Sequence, residues 1–140
     1  MIDIYEALIA HLLSSSISYI TSDDIAYDNS EFDPVGKTAW LSCYFMPTGR
    51  STRTKDSVGM TDTGILQITA HVALNDKLGN SVKYGKRAYQ IIDDVLAAFE
   101  QNTHLSVNDT TLSIRDSTTA KPQPSESWYS IPISINYIRI

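Results

Sequence analysis

The sequence predicts an α+β fold in which two helices pack on one face of a largely antiparallel or mixed β-sheet. Alternating apolar patterns at residues 39–46 and 65–74 predict two neighbouring strands. An amphipathic helical pattern follows them, and a third alternating pattern closes the chain at residues 128–140. With 140 residues, of which 42% are hydrophobic, we expect one domain over residues 1–140 with an ordinary core.

The chain opens with a predicted short helix. Asp3 and Glu6 stand at the spacing of a capping box, with aspartate in the place of the usual serine or threonine. Apolar residues then recur every three or four positions: Tyr5, Leu8, Ile9, Leu12 and Leu13. Clustered serines at 14–16 compete for backbone hydrogen bonds and end the helix. The acidic connection over residues 21–37 is expected to hold a short edge strand near Ile25.

The first strand pair is predicted at Ala39–Met46 and Ile65–Leu74. These strands are expected to be antiparallel partners joined by residues 47–64, a long β-hairpin loop. Because the apolar alternation stops after Met46, residues 48–63 are expected to form an arm used in assembly, outside the core. Cys43 alternates with apolar neighbours in the first strand, which predicts a buried and unreactive thiol.

A long helix and two further strands complete the predicted fold. Asn80 can cap a helix that runs to about Gln101. Gly85 inside this helix costs roughly 1 kcal/mol relative to alanine, so it either permits a close approach or marks a weak first turn. The closing strands are predicted at Thr111–Arg115 and Trp128–Ile140, with a turn-rich connection between them.

Composition and charge exclude several classes of protein. A net charge of −5 disfavours a dedicated nucleic-acid binder, since an acidic surface repels phosphates. The single cysteine excludes an internal disulfide framework. The longest apolar run, Val95–Phe99, is too short to span a membrane, and the first ten residues lack the basic start of a secretory signal.

No motif predicts catalysis, a metal or a cofactor. His11, His71 and His104 show no metal-ligand spacing. The segment Gly79–Lys86 has five residues between its glycines and is followed by Arg87, so it does not match a phosphate-binding loop. No Gly-x-Ser-x-Gly elbow occurs. We therefore expect no enzymatic activity, no catalytic residue, no metal site and no cofactor.

Two charge patterns predict interaction surfaces. Residues 47–64 hold three basic and two acidic residues, a net +1, so the rest of the chain carries −6. Such a loop suits docking onto an acidic neighbour, which includes another copy of this chain. The long helix carries its basic residues early and its acidic residues late, against the helix dipole, which hints at an outside partner. The alternative in both cases is a solvated surface. The candidate interface residues are Arg50, Arg53, Lys55, Lys83, Lys86 and Arg87.

The order of these patterns resembles the tail terminator family of long-tailed bacteriophages, which includes tail completion and minor tail proteins. That family has a capped first helix, a Trp-Leu strand that reaches a proline, a long loop, a Gly-x-x-Gln-Ile strand, one long helix and a final strand pair with tryptophan. The matching segments are Ile4–Leu13, residues 27–29 with Phe32 and Pro34, Trp40–Pro47, Gly64–Ile68, Ala88–Phe99 and Trp128–Tyr137. The sequence departs from the family pattern at Ser51–Thr63 and Lys121–Ser127.

The resemblance implies a structural protein of the virion tail, assembled in the host cytoplasm. It implies a hexameric ring of identical subunits that caps the end of the tail tube, stops its polymerisation and forms the surface for head attachment. The implied partners are further copies, the tail tube protein and a head-completion or neck protein, with no membrane and no specific nucleic-acid recognition. No bond is made or broken in such a mechanism, which agrees with the lack of catalytic motifs in the sequence.

Two alternatives stay open from the residues alone. One is a related structural role as a head–tail connector or neck protein. The other belongs to a different class, a small α+β ligand-binding or enzymatic domain with a pocket lined by Tyr19, Tyr27 or His71.

Overall fold

The computed structural model describes residues 2–28, 30–52, 60–74, 84–125 and 127–140. The helices of this part are α1 (Ile2–Ser14) and α2 (Tyr84–Ala98). A short 3-10 turn, Ser22–Asp24, precedes the first strand. The strands are β1 (Ile25–Ala26), β2 (Ala39–Thr52), β3 (Met60–Ala73), β4 (His104–Val107), β5 (Thr110–Thr119), β6 (Gln123–Pro124) and β7 (Trp128–Arg139).

The strands form one mixed sheet in the order β1-β2-β3-β7-β5-β4, and β6 pairs with β7 off this path. Every pair is antiparallel except β1 with β2, which is parallel. The α+β class and the mixed sheet predicted from the sequence are therefore confirmed. The short edge strand predicted in the acidic connection is β1, which pairs through Ile25 and Ala26 only.

One face of the sheet carries the core, and we call it the inner face. Leu66 lies opposite Ile135, and Ile68 lies between Cys43 and Ile133, so apolar side chains line up across three strands. The buried apolar residues of both helices join these side chains in a single cluster. The two helices thus cover the inner face, as predicted, and the opposite or outer face carries the other half of each alternating strand.

The first helix buries one side, as its periodicity predicts: Ile4, Ala7, Leu8 and Leu12. It begins at Ile2, however, so Asp3 lies inside the first turn and does not precede it as a cap would. The Asp3 carboxylate accepts hydrogen bonds from Asn108 Nδ2 at 3.0 Å and Thr110 Oγ1 at 3.5 Å. Asp3 therefore ties the start of α1 to the turn between β4 and β5.

The second helix buries Ala88, Ile91, Ile92 and Val95, and Phe99 follows it into the core. It ends at Ala98, three residues before the predicted end at Gln101. The predicted cap, Asn80, lies outside the described residues. Gly85 is in the first described turn, and a β carbon placed on it would have no atom of the described residues within 4 Å, which favours a weak first turn over a close approach. Neither described helix is long and apolar enough to cross a membrane.

The β2–β3 hairpin is longer than the sequence predicts. Pairing continues past a register shift between Pro47 and Gly49 and reaches Thr52, which lies opposite Met60. The expectation that residues 47–64 form a loop is therefore wrong for 47–52 and 60–64, which belong to β2 and β3, and residues 53–59 lie outside the described part. The use of residues 48–63 as an assembly arm stays a prediction. Backbone pairing needs no apolar side chain, so this extension leaves no alternating pattern in the sequence.

At the other edge, β4 is a four-residue strand that was not predicted from the sequence. It joins β5 through a turn at Asn108 and Asp109, with Asn108 at a φ of 53°. The predicted strand at Thr111–Arg115 is confirmed within β5, and Leu112 and Ile114 are buried. A register shift after Ile114 lets β5 continue along β7 as far as Thr119.

Candidate functional site

The six predicted interface residues fall on two separate parts of the chain. Arg50 lies in β2, where Asp62 of β3 is its direct partner in the ladder. Lys86 and Arg87 lie in the first described turns of α2. Arg53, Lys55 and Lys83 are outside the described residues. The six positions are thus candidates for two surfaces, the hairpin and the start of α2.

At the start of α2, Arg87 already has an intramolecular contact. Its guanidinium carbon lies 4.1 Å from the ring centroid of Tyr19, a cation–π geometry. The Tyr19 hydroxyl donates to Gln90 Oε1 at 2.9 Å, and Tyr19 itself has a φ of 67°. Arg87 therefore helps to hold the turn after α1 against α2, while Lys86 is exposed to solvent.

Asp94, one of the acidic residues late in α2, has a similar role. Its Oδ2 accepts the backbone N–H of Ser18 at 2.8 Å. Hydrogen bonding from Ser18 holds the pKa of Asp94 below its ordinary value. The charge order that opposes the helix dipole thus has a local explanation at Arg87 and at Asp94, since both side chains secure the same turn.

On the outer face, His71 bridges two serines. One ring nitrogen, Nε2, is 2.9 Å from Ser42 Oγ, and the other, Nδ1, is 2.7 Å from Ser130 Oγ. Trp40 stacks on the imidazole with ring centroids 3.9 Å apart. Phe32 in turn stacks on Trp40, with ring centroids 4.9 Å apart. The bridge therefore joins β2, β3 and β7 beneath an aromatic cover.

This arrangement does not suit His71 to proton transfer. Burial lowers its pKa from 6.5 to about 4, so the imidazole is neutral at physiological pH and is a weak base. A serine, and no carboxylate, occupies the position that orients the histidine in hydrolase triads. The geometry favours a fixed hydrogen-bond bridge. The sequence does not predict this bridge, because the three strands that supply its members are brought together only by the sheet.

The other histidines lie elsewhere. His11 hydrogen-bonds through Nε2 to the carbonyl of Ala98 and meets Phe99 edge-on, with ring centroids 5.0 Å apart. His104 is exposed at the start of β4. Within the described residues, no group of three or more His, Cys, Asp or Glu side chains is arranged to hold a metal ion.

Cys43 is buried, as its alternation predicts, with 5% of its surface exposed. Burial, aided by the nearby Asp28 carboxylate, raises the pKa of the thiol to about 12. Asp28 Oδ2 accepts the backbone N–H of Phe45 at 2.9 Å and so covers the β2 edge next to β1. A thiol that keeps its proton at neutral pH is a poor nucleophile. The prediction of a buried, non-catalytic cysteine is confirmed as far as burial is concerned.

Two of the cavities in the described part of the chain open at the sheet, and no described histidine lines either of them. One of about 320 Å³ lies on the outer side of β2 and is lined by Tyr27, Asp28 and Tyr44 among others. Another, of about 350 Å³, lies at the end of the inner face between Ile4 and the hairpin. An ion pair between Arg139 and Asp62, 3.6 Å apart, stands on its wall.

The hairpin end projects past its neighbours. We call residues 49–52 of β2 and 60–62 of β3 the ribbon. On one side, β7 pairs with β3 only from Thr63 onward, and on the other, β1 pairs only with Leu41 and Ser42. No strand of the described part pairs with the β2 edge of the ribbon. Two-stranded ribbons are marginally stable alone, and open edges are templates for another chain. A ribbon with an open edge suits association with another protein chain through surface contacts.

Comparisons with known proteins agree with this interpretation. A family model described as "Phage tail terminator protein" matches residues 3–137. Twelve solved chains match, and one of them has a TM-score of 0.70 and 20% identity over 98% of this chain and 93% of its own length. The name of that structure states no function, and at this identity it shows a shared fold alone. A search of curated proteins finds no match.

The match to the family model covers nearly the whole chain, including both helices, the hairpin and most of the final strand. The resemblance in the order of elements is therefore confirmed by an independent comparison. The chain belongs to the phage tail terminator protein family, and it is a structural component of bacteriophage tails.

Proposed function

We propose that the protein caps the end of the tail tube as a ring of identical subunits, with six subunits as the expected number. The ring stops tube polymerisation and offers the surface to which the head attaches. The match of the tail terminator family model to residues 3–137 carries this proposal. Partners are further copies, the tube protein and a head-completion or neck protein. The protein acts in the virion tail after assembly in the host cytoplasm, with no membrane, cofactor or specific nucleic acid.

Capping of this kind needs complementary surfaces, and the hairpin supports that role. Its backbone at 49–52 has an edge without a strand neighbour in the described part. Its sequence adds Arg50, Arg53 and Lys55 to a protein with a net charge of −5. Basic side chains on an otherwise acidic subunit steer it toward acidic neighbours and make the association sensitive to salt.

The start of α2 is the second proposed surface. Lys83, Lys86 and Arg87 occupy this part of the chain, and Lys86 is exposed. Arg87 combines an internal contact with Tyr19 and a position beside Lys86. If the hairpin proves dispensable, we expect the start of α2 to form the interface instead.

The test is a triple substitution, Arg50→Ser, Arg53→Ser and Lys55→Ser, assayed on purified tail tubes. Tubes are grown with the wild-type or variant protein, and their lengths are measured by electron microscopy. We expect the variant to fold normally, as its melting temperature would show. We expect it to cap tubes poorly, so that tubes grow long, with the difference from the wild type greater at low than at moderate salt.

A matched control removes basic charge elsewhere on the surface. Arg115 and Lys121 are exposed and lie outside both proposed surfaces, so Arg115→Ser with Lys121→Ser should cap tubes like the wild type. Capping by the triple variant that equals the control at low as well as at moderate salt would show that the hairpin charges are only solvated. The interface would then be sought around Lys86.

A further inference from the structure

We propose that neighbouring copies join edge to edge, so that the end of β2 in one copy pairs in parallel with β4 of the next. This inference rests on the proposed function, because it takes identical copies to form a ring. It assigns the backbone of Gly49–Thr52 and of His104–Val107 as the two halves of the subunit interface. The two halves are the opposite edges of the same sheet.

The β2 edge is covered at one end and open at the other. Next to the body, β1 pairs with Leu41 and Ser42, and the Asp28 carboxylate takes the N–H of Phe45. Beyond the register shift at Pro47–Gly49, no described strand lies on this side of β2. The covered part therefore resists pairing with another chain, and the open part is a four-residue template.

The β4 edge is a strand segment of the same length, four residues. Ile114 N–H donates to the carbonyl of Thr103 at 2.8 Å, which makes that pair a hydrogen-bonded one. Hydrogen-bonded and non-hydrogen-bonded pairs alternate in an antiparallel ladder, so His104 and Ser106 direct their backbone groups away from β5. Both residues are exposed. This edge has no strand beyond it in the described part of the sheet.

Strand direction and symmetry favour joining unlike edges. Four antiparallel steps separate β2 from β4, so the two strands run in the same direction. If the ring axis is parallel to the strands, β2 of one copy therefore meets β4 of the next in parallel. The parallel neighbour β1 already shows that this side of β2 accepts that direction. Contacts between two different patches of identical subunits can close into a ring, whereas pairing β2 with itself would stop at a dimer.

Cysteine cross-linking between separately prepared variants tests this junction. In the β2–β3 ladder Ser51 is opposite Thr61, two residues from Thr63, which belongs to the outer face. Because residues alternate between the two faces along a strand, position 51 belongs to the outer face, as do His104 and Ser106 of β4. The outer face is continuous across a parallel junction. Ser51→Cys protein is mixed with Ser106→Cys or with His104→Cys protein, which allows for a two-residue shift. The matched control is Thr52→Cys, one residue away on the opposite face.

The mixed cysteine variants are oxidised mildly and run on a non-reducing gel. In parallel, the mass of the wild-type assembly is measured both free and on tubes. We expect a ring, with a covalent dimer formed by Ser51→Cys and little or none by Thr52→Cys. A ring in which Ser51→Cys cross-links no better than Thr52→Cys overturns the edge junction and leaves the proposed function standing. Cross-linking of Ser51→Cys to a cysteine in the tube protein would also overturn it. Absence of any assembly contradicts the ring itself.

Discussion

The hydroxyl end of the Tyr137 side chain occupies the space that a β carbon on Gly64 would fill. The two residues are cross-strand partners on β7 and β3. A β carbon at position 64 would come within 2.6 Å of Tyr137 Cζ and 2.9 Å of the Met46 carbonyl oxygen. Phe45 stacks on the same tyrosine, with ring centroids 5.9 Å apart. Glycine is therefore required here for space, and this explains why a strand interior contains a residue that weakens strands.

Gly64→Ala is expected to destabilise the protein by about 1–3 kcal/mol, the usual cost of forcing extra volume into a packed core. The measurement is urea unfolding at neutral pH. Gly85→Ala is the control, because no described residue has an atom within 4 Å of its added carbon, and it should be neutral or stabilising by up to about 1 kcal/mol. Equal stability of the two variants would show that the Tyr137 contact does not constrain position 64.

His71 is expected to make stability fall as the pH is lowered. Its pKa is depressed from 6.5 to about 4 in the folded protein, so between these values the unfolded chain binds a proton that the folded chain does not. Stability from this group is complete above about pH 6.5 and is lost progressively toward pH 4, by roughly 2–3 kcal/mol.

The measurement for His71 is urea unfolding at several pH values from 7 to 4, on the wild type and on His71→Gln. Carboxylates such as Asp24 and Asp94, whose pKa values are lowered, contribute to both profiles at the acidic end. The difference between the two proteins therefore isolates the histidine. Parallel profiles over the whole range would mean that His71 is not buried in its neutral form.

Cys43 is expected to be inert in the native protein. The thiol is buried and its pKa is raised to about 12, so it offers neither access nor a thiolate. A chromogenic thiol reagent should label it slowly under native conditions and rapidly in denaturant. Rapid native labelling would contradict both its burial and the register of β2.

Removal of Ser134–Ile140 is expected to abolish folding. Ile135 and Tyr137 are fully or almost fully buried, at 0% and 2% exposure. Each large buried side chain contributes roughly 1.5–3 kcal/mol, against a total stability of about 5–15 kcal/mol. The truncated chain should be insoluble or lack a cooperative melting transition. A soluble product that melts like the full chain would show that the end of β7 is dispensable.

The parts of this fold that could be predicted are those where one face is buried and the other is not. The apolar alternation at Ala39–Met46 and Ile65–Leu74 arises because the helices cover one face of the sheet there. It therefore predicts the parts of β2 and β3 that lie outside the ribbon. The ribbon could not be predicted in this way because pairing there depends on the backbone. The same holds for β4, because four residues give too short a pattern.

The candidate site was harder to predict, since its contacts join distant segments. The basic residues of the hairpin and of α2 stand out by charge alone. That Arg87 would lie on Tyr19, or that Asp94 would hold Ser18, depends on how the turn after α1 meets α2. The His71 bridge likewise requires three strands in register. Sequence spacing carries no signal for any of these contacts.

The proposed capping function is tested most directly by the length of tails made without this protein. The gene is disrupted in the phage, and tail lengths in infected-cell lysates are measured by electron microscopy, with the wild-type gene supplied in trans as the control. We expect tails of variable and excessive length that lack heads, with normal length restored in the control. Tails of normal, uniform length that merely fail to join heads would contradict termination by this protein and would indicate a head–tail connector role.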